Sequence, residues 1–136
     1  MKITQESDYA LRIIQFLSIS EESTVGASII AEKQKVPLRF ALKILRKLNA
    51  AGLTKAYRGV SGGYSLAKDP NQITVAHLMR IIDGPIALIP CVSERYYESC
   101  GECVDEETCR IRKLFGELRA EMLPVLDKTI VELARL

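Results

Sequence analysis

A chain of 136 residues that is 48% hydrophobic and 26% charged can build one modest core. This composition excludes a disordered polymer, and no apolar run approaches the roughly 18–20 residues that a membrane span needs. The net charge of +2 hides an asymmetry. Residues 1–70 carry eleven Lys/Arg against six Asp/Glu, a balance of +5, whereas residues 71–136 carry eight against eleven, a balance of −3.

The opening segment, MKITQESDYALRI, has no continuous apolar stretch of the kind a secretory signal requires, so a soluble cytoplasmic protein is expected. Thr4 is placed to cap a helix beginning at Gln5, in which Tyr9, Ala10, Ile13, Ile14 and Leu17 recur at three and four residues. Asp8, near the start of that helix, suits the helix dipole. A second, short helix fits Ala27 to Lys33 with Ile29 and Ile30 inward, and Val36-Pro37 breaks it. Pro37 is a good first residue for the next helix.

That third helix runs from Leu38 to Ala50. At 100° per residue, Lys43, Arg46 and Lys47 fall within about 80° of Arg39, while Ala41, Ile44, Leu45 and Leu48 fall on the far side. One face is therefore basic and the other apolar. From Lys33 to Arg58 there are eight basic residues and no acid. A mere solvated face would usually mix signs, so this pattern points to a polyanionic partner. A short helix, a tight turn and a basic helix form a helix-turn-helix whose second member lies in the major groove of double-stranded DNA.

Leu53 to Arg58 and Tyr64 to Ala67 read as two strands joined by a Gly59–Gly63 turn, a hairpin wing. The candidate DNA contacts are Arg39 and Lys43 at base edges, Arg46 on the same face, Lys47 and Arg58 at backbone or minor groove, and Ser61, Gly62 and Gly63 in the wing turn. Lys47→Ala is expected to reduce the salt slope of binding by about one. The Gly-rich turn lacks a Walker lysine and a following helix, which excludes a nucleotide loop.

Thr74 caps a helix through Ile82 that carries Val75, Leu78 and Met79 inward and the single histidine, His77. No Ser/His/Asp or Cys/His constellation can be assembled around that histidine, so no enzyme and no small-molecule substrate is expected. All four cysteines lie between Cys91 and Cys109, as C-x8-C-x2-C-x5-C (Cys91, Cys100, Cys103, Cys109), in a loop with six acids. Four thiols gathered in one polar loop suggest a shared ligand or a shared redox event. An iron–sulfur cluster suits loosely spaced thiolates best. Structural zinc and redox thiols remain open. A thioredoxin-like use of Cys100 and Cys103 would need a βαβ context that is missing here.

After Cys109, a helix from about Arg110 to Asp127 carries an apolar stripe of Ile111, Leu114, Phe115, Leu118, Met122 and Val125 or Leu126. So small a domain cannot readily cover it, which predicts a homodimer through this helix. Pro124 is expected to kink it, and Thr129 to Glu132 form a capping-box pattern for a last short helix with Ile130 and Leu133 inward. The expected organisation is a DNA-binding unit over 1–83, a cysteine loop over 84–109 and a dimerisation segment over 110–136. The fold class is mainly α with a small β-hairpin, a winged helix-turn-helix plus a long C-terminal helix.

MKITQESDYALRI, LKILRKLNAAGLTKAYRGVSGGYSLAKDP and ITVAHLMRIIDG together resemble the Rrf2 family of winged-helix transcription regulators. The resemblance covers essentially the whole chain, and the RG-x-x-GGY-x-L wing is its most specific part. It implies a DNA-binding regulator, expected to act as a repressor, whose operator affinity is set by an iron–sulfur cluster (4Fe–4S or 2Fe–2S). It further implies that Cys91, Cys103 and Cys109 stand for the family's three ligands and Cys100 is an additional thiol. Some members complete the site with a histidine three residues past the last cysteine; here that residue is Arg112. Others use an acid from the partner subunit, a position that Asp8 matches. The fourth ligand is accordingly Cys100 or Asp8, with Cys100 preferred because thiolate suits iron. The apo loop is expected to be disordered. Zinc-stabilised and cluster-free thiol- or partner-sensing regulators are the alternatives.

Overall fold

A computed structural model describes residues 3–136. Helix α1 (Gln5–Ile19) is followed by α2 (Ala27–Gln34) and α3 (Leu38–Ala50), then by the antiparallel hairpin β1 (Thr54–Tyr57) and β2 (Gly63–Leu66). Next come α4 (Val75–Ile82), the loop that carries the cysteines, the long α5 (Arg110–Leu126) and a short α6 (Ile130–Leu133).

The apolar periodicities build the core directly. Ala10, Ile13, Ile14 and Leu17 of α1 meet Ala41, Ile44, Leu45 and Leu48 of α3 and Leu78 and Ile82 of α4 in one buried cluster. In α2 the inward residues are Ile30 and Ala31, and the expected inward Ile29 is 47% exposed. A helix of eight residues seats only a narrow stripe, and Ile30–Ala31 is that stripe. Pro37 precedes α3 as its N-cap residue rather than forming its first turn.

Two local devices fix the start of α1. The Thr4 hydroxyl accepts the Ser7 N–H at 3.1 Å and donates to Asp83 Oδ1 at 2.6 Å, while the Ser7 hydroxyl donates to Asp83 Oδ2 at 2.6 Å. The first turn of α1 is thus pinned to the end of α4. The hairpin is seated on α2's approach: Val25 and Tyr64 exchange backbone hydrogen bonds of 2.9 and 2.8 Å, and the Thr24 hydroxyl donates to the Ser61 carbonyl at 2.9 Å. Gly63 (φ 153°) lies so close to this contact that a Cβ there would meet the Val25 carbonyl carbon at 2.6 Å. Glycine is required by close approach as much as by the turn.

Helix α5 has no buried residue. Of the expected stripe, Ile111, Leu114, Leu118 and Val125 are exposed, while Phe115, Met122 and Leu126 are half-buried. After α5 the chain returns to the core. The Val75 N–H donates to the Lys128 carbonyl and the Ile130 N–H to the Ile73 carbonyl, and Ile130 is fully buried. The Thr129 capping box forms as expected. No helix among the described residues is long and apolar enough to cross a membrane.

Candidate DNA interface and thiol loop

Helix α3 presents the basic face. Arg39, Lys43 and Arg46 are exposed and Lys47 is half-buried on the flank nearest α1. Arg39 lies over the Phe40 ring with its guanidinium carbon 5.1 Å from the centroid, and Phe40 packs edge-on against Tyr9. Arg58 and Ser61 are exposed at the wing, Gly62 and Gly63 are half-buried beneath it, and Val60 projects fully into solvent at the tip.

The sequence gives no hint of what meets the lysines. Glu6, in the first turn of α1, places Oε1 at 2.6 Å from Lys47 Nζ and Oε2 at 3.2 Å from Lys43 Nζ, with its own side chain only 20% exposed. Burial pushes the Glu6 carboxyl up. Hydrogen bonding to Lys47 and Lys43 and their charge outweigh it, so the group sits below its ordinary range. Asp8 forms an ion pair with Arg12 one turn later at 2.7 Å. His77, half-buried on α4, is pushed down by burial and by Lys68, Arg80 and Arg95, which keeps it neutral near pH 7.

In the loop, Cys91 is buried on the short 3₁₀ turn Pro90–Val92, and Cys100 is exposed. The Cys100 thiol lies 3.2 Å from that of Cys103. Its pKa is lowered by that contact and by the Glu102 and Cys103 backbone N–H groups, whereas the Cys103 thiol is pushed up to about 12 by hydrogen bonding to Cys100, by burial and by Cys109. Cys109 is the N-cap of α5, and its sulfur accepts the Arg112 N–H at 3.5 Å. Among the described residues, no three His, Cys, Asp or Glu side chains are gathered into a metal-holding set. The donor set suits a soft metal or a cluster in kind. Cys100 and Cys103 are already together and Cys109 influences Cys103, while Cys91 is buried on its 3₁₀ turn.

Two arginines on the inner face of α5, seven residues apart, hold the loop. Arg112 Nε donates to the Cys91 carbonyl at 3.2 Å and lies 3.9 Å from Glu106. Arg119 donates to the Ile86 carbonyl at 3.1 Å and to Glu94 at 2.8 Å. Arg112, three residues past the last cysteine, therefore clamps the segment carrying Cys91. Tyr97 donates to Glu106 at 2.6 Å, which closes the acidic turn. Beside α5, an apolar groove of about 460 Å³ is lined by Ile3, Met79, Leu88, Met122 and Leu126 among others.

Residues 3–135 match the model of a family described as iron-dependent transcriptional regulators, Rrf2. The chain belongs to the Rrf2 family. It is 40% identical to an rrf2-like HTH-type transcriptional regulator of Rhodobacter capsulatus, over 96% of this chain and 89% of that one. It is 30% identical to the HTH-type transcriptional regulator NsrR of Geobacillus kaustophilus, over 93% and 84%. Among solved structures it resembles CymR, the global cysteine regulator of Bacillus subtilis, with a TM-score of 0.78, 27% identity and coverage of 99% and 97%. This Rrf2 protein is thus a winged-helix transcriptional regulator and not an enzyme, and its family implies DNA binding.

Proposed function

We propose that this Rrf2 regulator binds operator DNA as a homodimer, with an affinity set by an iron–sulfur cluster held in the 91–109 loop, and acts as a repressor. The observation that carries the reading is the clamped loop. All four thiols lie on the segment that Arg112 and Arg119 fasten to α5, the helix that leaves Ile111, Leu114, Leu118 and Val125 exposed.

Arg39, Lys43 and Arg46 face the groove, Lys47 flanks them, and Arg58 with the Ser61–Gly63 turn meets backbone or minor groove. Cys91, Cys103 and Cys109 would hold the cluster. Cys100 is supported as the fourth ligand by its 3.2 Å approach to Cys103. The competing ligand, Asp8 of a second subunit, would first have to leave Arg12. Bound iron would supply the positive charge that offsets the loop's thiolates and six acids. Without it, their mutual repulsion loosens the loop and, through α5, the spacing of the two recognition helices, which must match half-sites roughly one helical turn apart. The close Cys100–Cys103 pair also favours a second reading, a cluster-free thiol switch.

Anaerobic purification followed by the visible spectrum and iron, sulfide and zinc analysis tests this directly. Brown protein with iron and acid-labile sulfide, and operator affinity that differs between holo and apo forms at matched salt, is the expected result. Stoichiometric zinc would make the loop structural. Metal-free protein that still responds to thiol oxidation would leave the thiol switch. Equal operator affinity with and without the cluster would overturn the mechanism.

A further inference from the structure

From Lys33 to Arg58 the sequence has no acid, yet the two lysines of the recognition helix are not free. Their carboxylate comes from another element, α1, where Glu6 spans both ammonium groups. Among the described residues, no carboxylate lies within ion-pair distance of Arg39 or Arg46. Glu6 is itself held in place, because the turn that carries it is fastened by the hydroxyls of Thr4 and Ser7 to Asp83. The basic face is therefore divided into two unpaired arginines and two lysines that share one anchored carboxylate.

We propose that Glu6 is a specificity-determining residue of the DNA interface, an internal substitute for phosphate that keeps Lys43 and Lys47 from adding to sequence-independent binding. The inference rests on α3 as the DNA-facing helix. A free lysine releases counterions on any duplex, so it strengthens random and operator binding alike. A lysine already paired to a carboxylate adds less to both. The loss falls hardest on random DNA, where no phosphate is held in register to draw the lysines off Glu6, and less on an operator, where base contacts fix the register and with it a phosphate beside them. A half-exposed pair is worth no more than about a fivefold shift in equilibrium, weak enough for a well-placed operator phosphate to displace. In this arrangement Lys47→Ala alone lowers the salt slope by less than the full unit expected of an unpaired phosphate contact.

The test measures Glu6→Gln and wild-type protein on a random-sequence duplex and on an operator selected from a randomised pool, over a range of salt, with thermal melting to verify the fold. Glu6→Gln is expected to bind random DNA about three- to twentyfold more tightly, with a salt slope steeper by about one to two and a smaller operator-to-random ratio. Lys47→Ala should then cost more random-DNA affinity in the Glu6→Gln background than in wild type, a coupling that a purely structural role would not produce. Unchanged random-DNA affinity and slope in folded Glu6→Gln, or an equal cost of Lys47→Ala in both backgrounds, overturns the proposal. Arg39→Ala and Arg46→Ala are measured alongside. If they weaken binding while Glu6→Gln is silent, only the role of Glu6 fails. If they too are silent, the recognition-helix reading fails.

Discussion

At the level of single residues, what could be foreseen was what depends on near neighbours in the chain. Thr4, Thr74 and Thr129 cap their helices as their local patterns foretell, because a cap needs only the next three residues. The partners that could not be foreseen are distant in sequence. Glu6 reaches Lys43 and Lys47 from another helix, and Ser7 and Thr4 reach Asp83 across more than seventy residues. Nor does the sequence around Arg112 foretell that its side chain clamps the Cys91 segment, twenty-one residues away. The Glu6 pair also has a pH signature. Its carboxyl is held below the ordinary range in the folded protein, so its contribution is fully present above the unfolded value of about 4.3 and is lost as pH falls through the lowered folded value. Melting curves of wild-type protein should therefore drop more steeply below about pH 4.3 than those of Glu6→Gln. Parallel acid limbs would show that the pair adds nothing to stability.

At the level of elements, the apolar stripes of α1, α3 and α4 specified their own packing, and the bounds of α3 follow from its two faces. Helix α2 shows the limit: eight residues hold too few turns for periodicity to tell Ile29 from Ala31. The wing was legible from its glycines, but its seat was not, since the Val25–Tyr64 bridge depends on where the chain passes before α2. Helix α5 leaves Ile111, Leu114 and Leu118 in water, and the proposed homodimer rests on that exposure. Leu118→Glu should yield a folded monomer in sedimentation equilibrium, with operator binding lost because two half-sites can no longer be engaged together. A variant that stays dimeric would remove α5 from the interface.

In the whole molecule, the cysteine loop and α5 form an excursion that leaves the core after Ile82 and re-enters it at Ile130. Ile130 packs with residues of α1, α3 and α4, so it belongs physically to the DNA-binding unit that precedes it in sequence. Ile130→Ala should cost about 2–5 kcal/mol in urea denaturation, with helix and hairpin signals lost in one transition. A cost near zero would make the return segment dispensable. The same return path governs synthesis. Domains commonly fold as soon as they leave the ribosome. Here the last core residue emerges only after the cysteine loop and α5, so the nascent winged-helix core stays open at the Ile130 seat until both have been made.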